Sequence, residues 1–206
     1  MGRILLDEFL KQPLAVKPQQ ARRPGPGGPF DPHALRDDSD RTLYFTGAVD
    51  ELSITQAISH ITSLSRQSLK EPIQVVFNTY GGSVDDMFAL YDMIEFLETP
   101  IHTFGLGKIM SAGVLLLACG EKGKRKLGKH ARIMIHPISS ASMGTVFDQK
   151  NTVLEMERLQ AQWQTCILEH TKFTEEELDT LMKSNVDTYL TAEEAVKFGI
   201  VDEILT

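Results

Sequence analysis

Residues 73–78, Ile-Gln-Val-Val-Phe-Asn, have a near-continuous apolar character and lead, through Thr79-Tyr80, into Gly81-Gly82-Ser83. A strand with one wet face alternates in polarity. One this apolar is covered on both faces, the signature of a parallel sheet sandwiched by helices. Parallel strands need crossover connections, usually helical, and the neighbouring sequence supplies them. Residues 52–69 carry Ile54, Ile58, Ile61, Leu64 and Leu69 at helical spacing, and a helix predicted over 84–98 stops at Thr99-Pro100. Strands are predicted at 42–46, 101–105 and 132–136, and helices at 111–119 and 148–170. Thr174 with Glu177 and Thr191 with Glu194 are capping boxes opening two further helices, the second ending at Gly199. The order implies an α/β fold with right-handed crossovers, in which functional groups gather where strands end and helices begin.

The first 35 residues follow a different rule. Six of the nine prolines lie between positions 13 and 32, with Pro-Gly-Pro-Gly-Gly-Pro at 24–29. Such a stretch holds neither a helix nor a central strand, so residues 1–35 read as an N-terminal arm and linker, a candidate propeptide or gating segment, ahead of one domain over 36–206. With 206 residues in all, 42% of them hydrophobic, a single core suffices. The net charge of −7, with no basic face, argues against a nucleic-acid partner. The longest apolar run, near 109–120, is too short to span a membrane, and Asp7 and Glu8 interrupt any secretory signal. Cys119 and Cys166 form neither a disulfide framework nor a metal set and read as buried thiols. Together these features point to the cytoplasm.

Three strand-to-helix junctions carry candidate chemistry. Gly81-Gly82 permits close backbone approach and N–H groups aimed at a ligand oxygen, although a tight turn has the same composition. Ser111, in Gly-Lys-Ile-Met-Ser-Ala-Gly at 107–113, sits at a helix start, where it is either an N-cap or a hydroxyl whose developing charge the helix favours. His136 closes an apolar strand before Pro137, as a general base or a half-buried structural side chain. Of the other histidines, His33 adjoins the linker, His60 and His170 fall within helices, His102 begins a strand, and His130 follows a Lys/Arg-rich stretch at 122–130 that reads as a solvated loop. Among 28 acidic residues Asp187 stands out, just before Tyr189-Leu190-Thr191 and a capped helix, where a turn or cap role is the alternative.

Taken together, Tyr-Gly-Gly-Ser-Val at 80–84, the serine turn at 107–113, Met-Ile-His-Pro at 134–137 and Asp-Thr-Tyr-Leu-Thr-Ala-Glu-Glu-Ala at 187–195 resemble the Clp protease proteolytic subunit (ClpP) family, with Phe-Gly-Ile-Val-Asp-Glu-Ile-Leu at 198–205 similar to the family's end. The 25-residue separation of Ser111 from His136 is family-like, and the resemblance extends from about residue 40 to 206. It implies a ClpP/crotonase-like fold of stacked ββα units with a protruding handle helix over 148–170. It also implies a catalytic triad of Ser111 (nucleophile), His136 (general base) and Asp187 (orienter), an oxyanion hole from the backbones of Gly82 and Ala112, and no cofactor in this chain. The partners it implies are copies of the chain itself, in a heptameric ring or double-ring tetradecamer, a ClpX-, ClpA- or ClpC-like AAA+ unfoldase that uses ATP, and unfolded polypeptide substrates.

The apolar stripe Val153, Met156, Leu159, Trp163 and Ile167 then reads as a surface that the chain's own core leaves uncovered, Trp163 included. Departures from the family pattern include Lys108, Ile109 and Met110 before the serine, Ala112 after it, Tyr80 before the glycines, and Val186 beside Asp187. Three other readings compete: a catalytically inactive ring subunit, a crotonase-type acyl-CoA enzyme that uses only the oxyanion hole, and a Ser–Lys peptidase relying on Lys108, whose bland alternative is a solvated surface charge.

Overall fold

The computed structural model describes residues 41–206 apart from Asn185; the arm assigned to residues 1–35 lies outside the described residues. Strand β1 (Thr42–Val49) leads to helix α1 (Glu51–Gln67), β2 (Ile73–Gly82), α2 (Val84–Phe96), β3 (Ile101–Met110) and α3 (Ala112–Ala118). After these come β4 (Lys126–Gly128), β5 (Arg132–Ile135), α4 (Val146–His170), α5 (Glu175–Lys183), β6 (Thr188–Leu190), α6 (Ala192–Lys197) and β7 (Glu203–Leu205). The α/β architecture expected from the sequence is the one observed. Both anticipated capping boxes form, Thr174 with Glu177 and Thr191 with Glu194, and Gly199 takes a φ of 69° just past α6. At the start of α4 a further box, Thr145 with Asp148, moves the helix two residues ahead of the predicted 148.

The sheet is parallel in the order β1-β2-β3-β4-β7, with a branch to β5 and β6. The branch arises because β3 changes partner along its length. Phe104 and Gly105 pair with β4, whereas Lys108, Ile109 and Met110 pair with β5. Beyond β5, β6 runs antiparallel. Val75, Phe77, Ile109, Ile133 and Leu127 are fully buried, and every residue of α3 is buried. Within β2, however, burial alternates: Ile73, Val75, Phe77 and Thr79 are buried, whereas Gln74 and Tyr80 are exposed and Val76 and Asn78 half-buried, so the two-sided cover expected of the run at 73–78 is complete on one face only.

One expectation fails here. The Lys/Arg-rich stretch at 122–130 is not a solvated loop: Lys126–Gly128 is β4, with Leu127 fully buried and Arg125 only 4% exposed. The guanidinium is tolerated inside because it is saturated. Its Nε and Nη2 donate to Asp202 at 2.9 and 2.6 Å, and Nη1 donates to the carbonyls of Ala118 and His170. Charge density alone does not reveal a buried ion pair whose partner lies 77 residues on. Burial by itself would raise the Asp202 pKa, but hydrogen bonds from Arg125 and from the Gly123 amide hold it below the usual carboxylate range. Both cysteines are free and buried, and desolvation pushes both thiols up.

Replacing Arg125 by methionine leaves Asp202 without its counter-charge and strips donors from two carbonyls, so chemical denaturation should show a loss of about 3 kcal/mol. Because the Asp202 pKa is depressed on folding, its contribution is complete above the ordinary carboxylate pKa and disappears as pH falls through the depressed value. The gap between wild type and variant should therefore narrow in acid.

Candidate functional site

The C-terminal ends of β2, β3 and β5 converge at one edge of the branched sheet. β2 ends in Gly81-Gly82, β3 delivers Ser111, and β5 delivers His136. Ser111 has φ 54° and ψ −124°, and it is the one non-glycine residue with positive φ among the described residues. Such a conformation costs about 1–3 kcal/mol and persists only where the surroundings enforce it. They do so here through the Ser111 N–H, which donates to the Met134 carbonyl at 2.8 Å and ties the turn to β5 two residues before His136. The serine hydroxyl makes no capping bond to α3. It lies 2.8 Å from His136 Nε2 instead, so of the two roles open to Ser111 the hydroxyl is spent on the imidazole.

The glycine turn is required by contact. A Cβ on Gly81, whose φ is 90°, would lie 2.6 Å from the Met110 carbonyl oxygen and 2.7 Å from Ser111 Cβ. On Gly82 it would lie 2.1 Å from the Val49 carbonyl oxygen. The buried Thr79 hydroxyl accepts the Gly81 N–H at 2.9 Å and sets the turn. Ala112 opens α3, so its N–H belongs to the first turn that a helix leaves unpaired. Gly82 and Ala112 both line a small groove of about 70 Å³ with Ser111 and His136.

Asp187 is brought near without being engaged. Strand β6 pairs Leu190, Tyr189 and Thr188 with Ile133, Met134 and Ile135; one more step in that register sets Asp187 opposite His136. Its side chain is nevertheless exposed, and no hydrogen bond joins it to the imidazole. Lys108 does not approach the serine hydroxyl by any bond. Its Nζ donates to Asn78 Oδ1 at 3.0 Å and sits 4.4 Å from the centre of the Tyr80 ring, so the solvated-charge reading is corrected to a half-buried one. Among the described residues, no group of three or more His, Cys, Asp or Glu side chains is placed to hold a metal ion, and no helix is long and apolar enough to cross a membrane.

Trp163 requires a second correction. Rather than lying uncovered, it is 5% exposed and forms part of the groove beside Ser111, with Val84, Met87, Ile138 and Ser139. The large apolar residues that α4 does leave exposed are Val146, Phe147, Val153 and Leu154, all on its N-terminal half. Gln160, one turn before Trp163, accepts the Ile138 N–H on Oε1 at 2.7 Å and donates from Nε2 to the Met182 sulfur of α5. Helical periodicity identified the stripe, but the core and the groove claim its last turns in succession, and spacing alone does not divide them.

The Clp protease family model matches residues 35–206. The chain belongs to the Clp protease family. Curated relatives agree. An ATP-dependent Clp protease proteolytic subunit 2 of Bifidobacterium longum is 31% identical over 196 residues, covering 94% of this chain and 92% of its own. Subunit 1 of Corynebacterium glutamicum is 31% identical over 166 residues, 80% of this chain and 79% of its own. Subunit 2 of Streptomyces avermitilis is 31% identical over 170 residues, 82% and 84% respectively. Clp protease membership places the chain among the peptidases, a class of hydrolases.

Since the Ser111 turn is strained, a residue without Cβ relaxes it. Ser111→Gly should be more stable than Ser111→Ala by about 1 kcal/mol, after the extra backbone entropy of glycine is subtracted. Equal denaturation midpoints, or a more stable alanine variant, would contradict the enforced conformation.

Proposed function

We propose that the chain is a self-compartmentalising serine endopeptidase, working in the cytoplasm on unfolded polypeptides delivered by an AAA+ unfoldase of the ClpX, ClpA or ClpC kind. The observation that carries this reading is the 2.8 Å contact between Ser111 Oγ and His136 Nε2 on a turn where the hydroxyl has no structural duty. His136 takes the hydroxyl proton as Oγ attacks a peptide carbonyl. The oxyanion is received by the N–H groups of Gly82 and Ala112, each such donor being worth about 3–4 kcal/mol in the transition state. His136 then protonates the departing amine, and water repeats the sequence on the acyl-enzyme. Asp187, opposite His136 in register, turns onto the second ring nitrogen and fixes the tautomer; apo geometry at such contacts is often loose. No cofactor is needed in this chain, because ATP is consumed by the unfoldase.

Exposed Val146, Phe147, Val153 and Leu154 on α4 support assembly into a heptameric ring or a double ring, with this half of the helix as the handle. The disengaged Asp187 favours one second reading, a ring subunit that keeps the fold without activity.

A fluorophosphonate should label Ser111, and labelling should vanish in Ser111→Ala. Ser111→Ala and His136→Ala should each lower peptide-hydrolysis kcat by about 10⁶-fold, and Asp187→Asn by about 10⁴-fold. Lys108→Met should retain activity. Absence of labelling in the assembled wild-type protein establishes the inactive subunit, and loss of activity in Lys108→Met with retention in His136→Ala would make Lys108 the base.

A further inference from the structure

The groove beside Ser111 has walls as well as a nucleophile, and the walls are close together. It encloses about 70 Å³. A cavity of about 150 Å³ is what admits a benzene ring, so the space here is roughly half of that. Met87 of α2, fully buried, and Trp163 of α4, 5% exposed, close it, while Val84 and Ile138 line it on either side. Neither closing residue can swing out without opening a void in a close-packed interior. The Ile138 side is tethered as well, since its N–H is held by Gln160 Oε1 at 2.7 Å from the same face of α4 that carries Trp163.

We propose that Trp163, together with Met87, makes this groove a size filter for the residue on the acyl side of the scissile bond, admitting Gly, Ala, Ser and Val and rejecting aromatic and long aliphatic side chains. The inference rests on Ser111 acting as the nucleophile. With the carbonyl oxygen directed at Gly82 and Ala112 and the amine leaving past His136, which must protonate it, the acyl-side side chain is left the space bounded by Val84, Met87, Ile138 and Trp163. An indole is rigid, so it sets a fixed floor, whereas a flexible thioether in its place would yield to a larger guest.

The test uses two peptides identical except for Ala or Phe at the acyl-side position, assayed on the full-length assembled protein, with fluorophosphonate labelling of Ser111 in parallel. The wild type should favour the Ala peptide in kcat/KM by about 10-fold or more, the scale on which apolar pockets discriminate by size. Trp163→Met should shift that ratio toward Phe by a comparable factor. Met87→Ala also enlarges the groove and should do the same, which covers the case in which the tryptophan variant fails to assemble. Equal rates on the two peptides in the wild type, a ratio unmoved in the folded variants, or discrimination only at the amine-side position would overturn the filter. A protein that is labelled at Ser111 yet cleaves neither peptide would overturn the filter alone. One that is neither labelled nor active would overturn the serine-peptidase reading with it.

Discussion

The arrangement depends on a single hydrogen bond, from the Ser111 N–H to the Met134 carbonyl. That bond continues the β3–β5 ladder past the strand end and helps to hold the backbone in its sharp turn into α3 against its steric preference. The same pairing of β3 with β5 starts the branch of the sheet. Strain at the serine and convergence of serine and histidine are therefore one fact seen from two sides: the strand that carries His136 is the strand that holds Ser111 in place. Gly81 follows from it, because the turn occupies the space that a Cβ at that position would need.

Much of this was legible in the sequence, for identifiable reasons. Hydrophobic periodicity and capping chemistry act locally, so the main strands and helices, both anticipated capping boxes and the terminator at Gly199 are found where the residues imply them. Ser111 and His136 were identifiable as candidates because each sits at a strand end, and strand ends in a parallel sheet share an edge. What local chemistry does not encode is pairing over long separations. Arg125 looks like one charge in a basic stretch until Asp202 is brought beside it. Lys108 looks solvated until Asn78 and Tyr80 are set across from it. Asp187 was singled out for its place before a capped helix, whereas its register opposite β5 and the direction of its side chain are matters on which pattern is silent.

Helix α4 shows the same limit at larger scale. Its apolar residues form one stripe in sequence and two environments in space. The N-terminal half has exposed Val146, Phe147, Val153 and Leu154, while the last turns, with Trp163, Cys166 and Ile167, are buried in the domain. A helix of 25 residues is about 37 Å long, longer than the domain needs for its own core. One element thus joins the exposed surface to the wall of the groove beside Ser111.

The Arg125–Asp202 pair has a consequence for the order in which the protein is made. Strand β4 finds its outer neighbour only in β7, and the buried guanidinium finds its carboxylate 77 residues later in the chain. At about 5–20 residues per second of synthesis, several seconds separate emergence of the cation from emergence of its counter-ion. During that interval burial of the guanidinium beside β4 carries the penalty of an uncompensated charge. The domain therefore completes this part of its core only once Asp202 and β7 have been made, with the segment that carries them as the last part to be fitted.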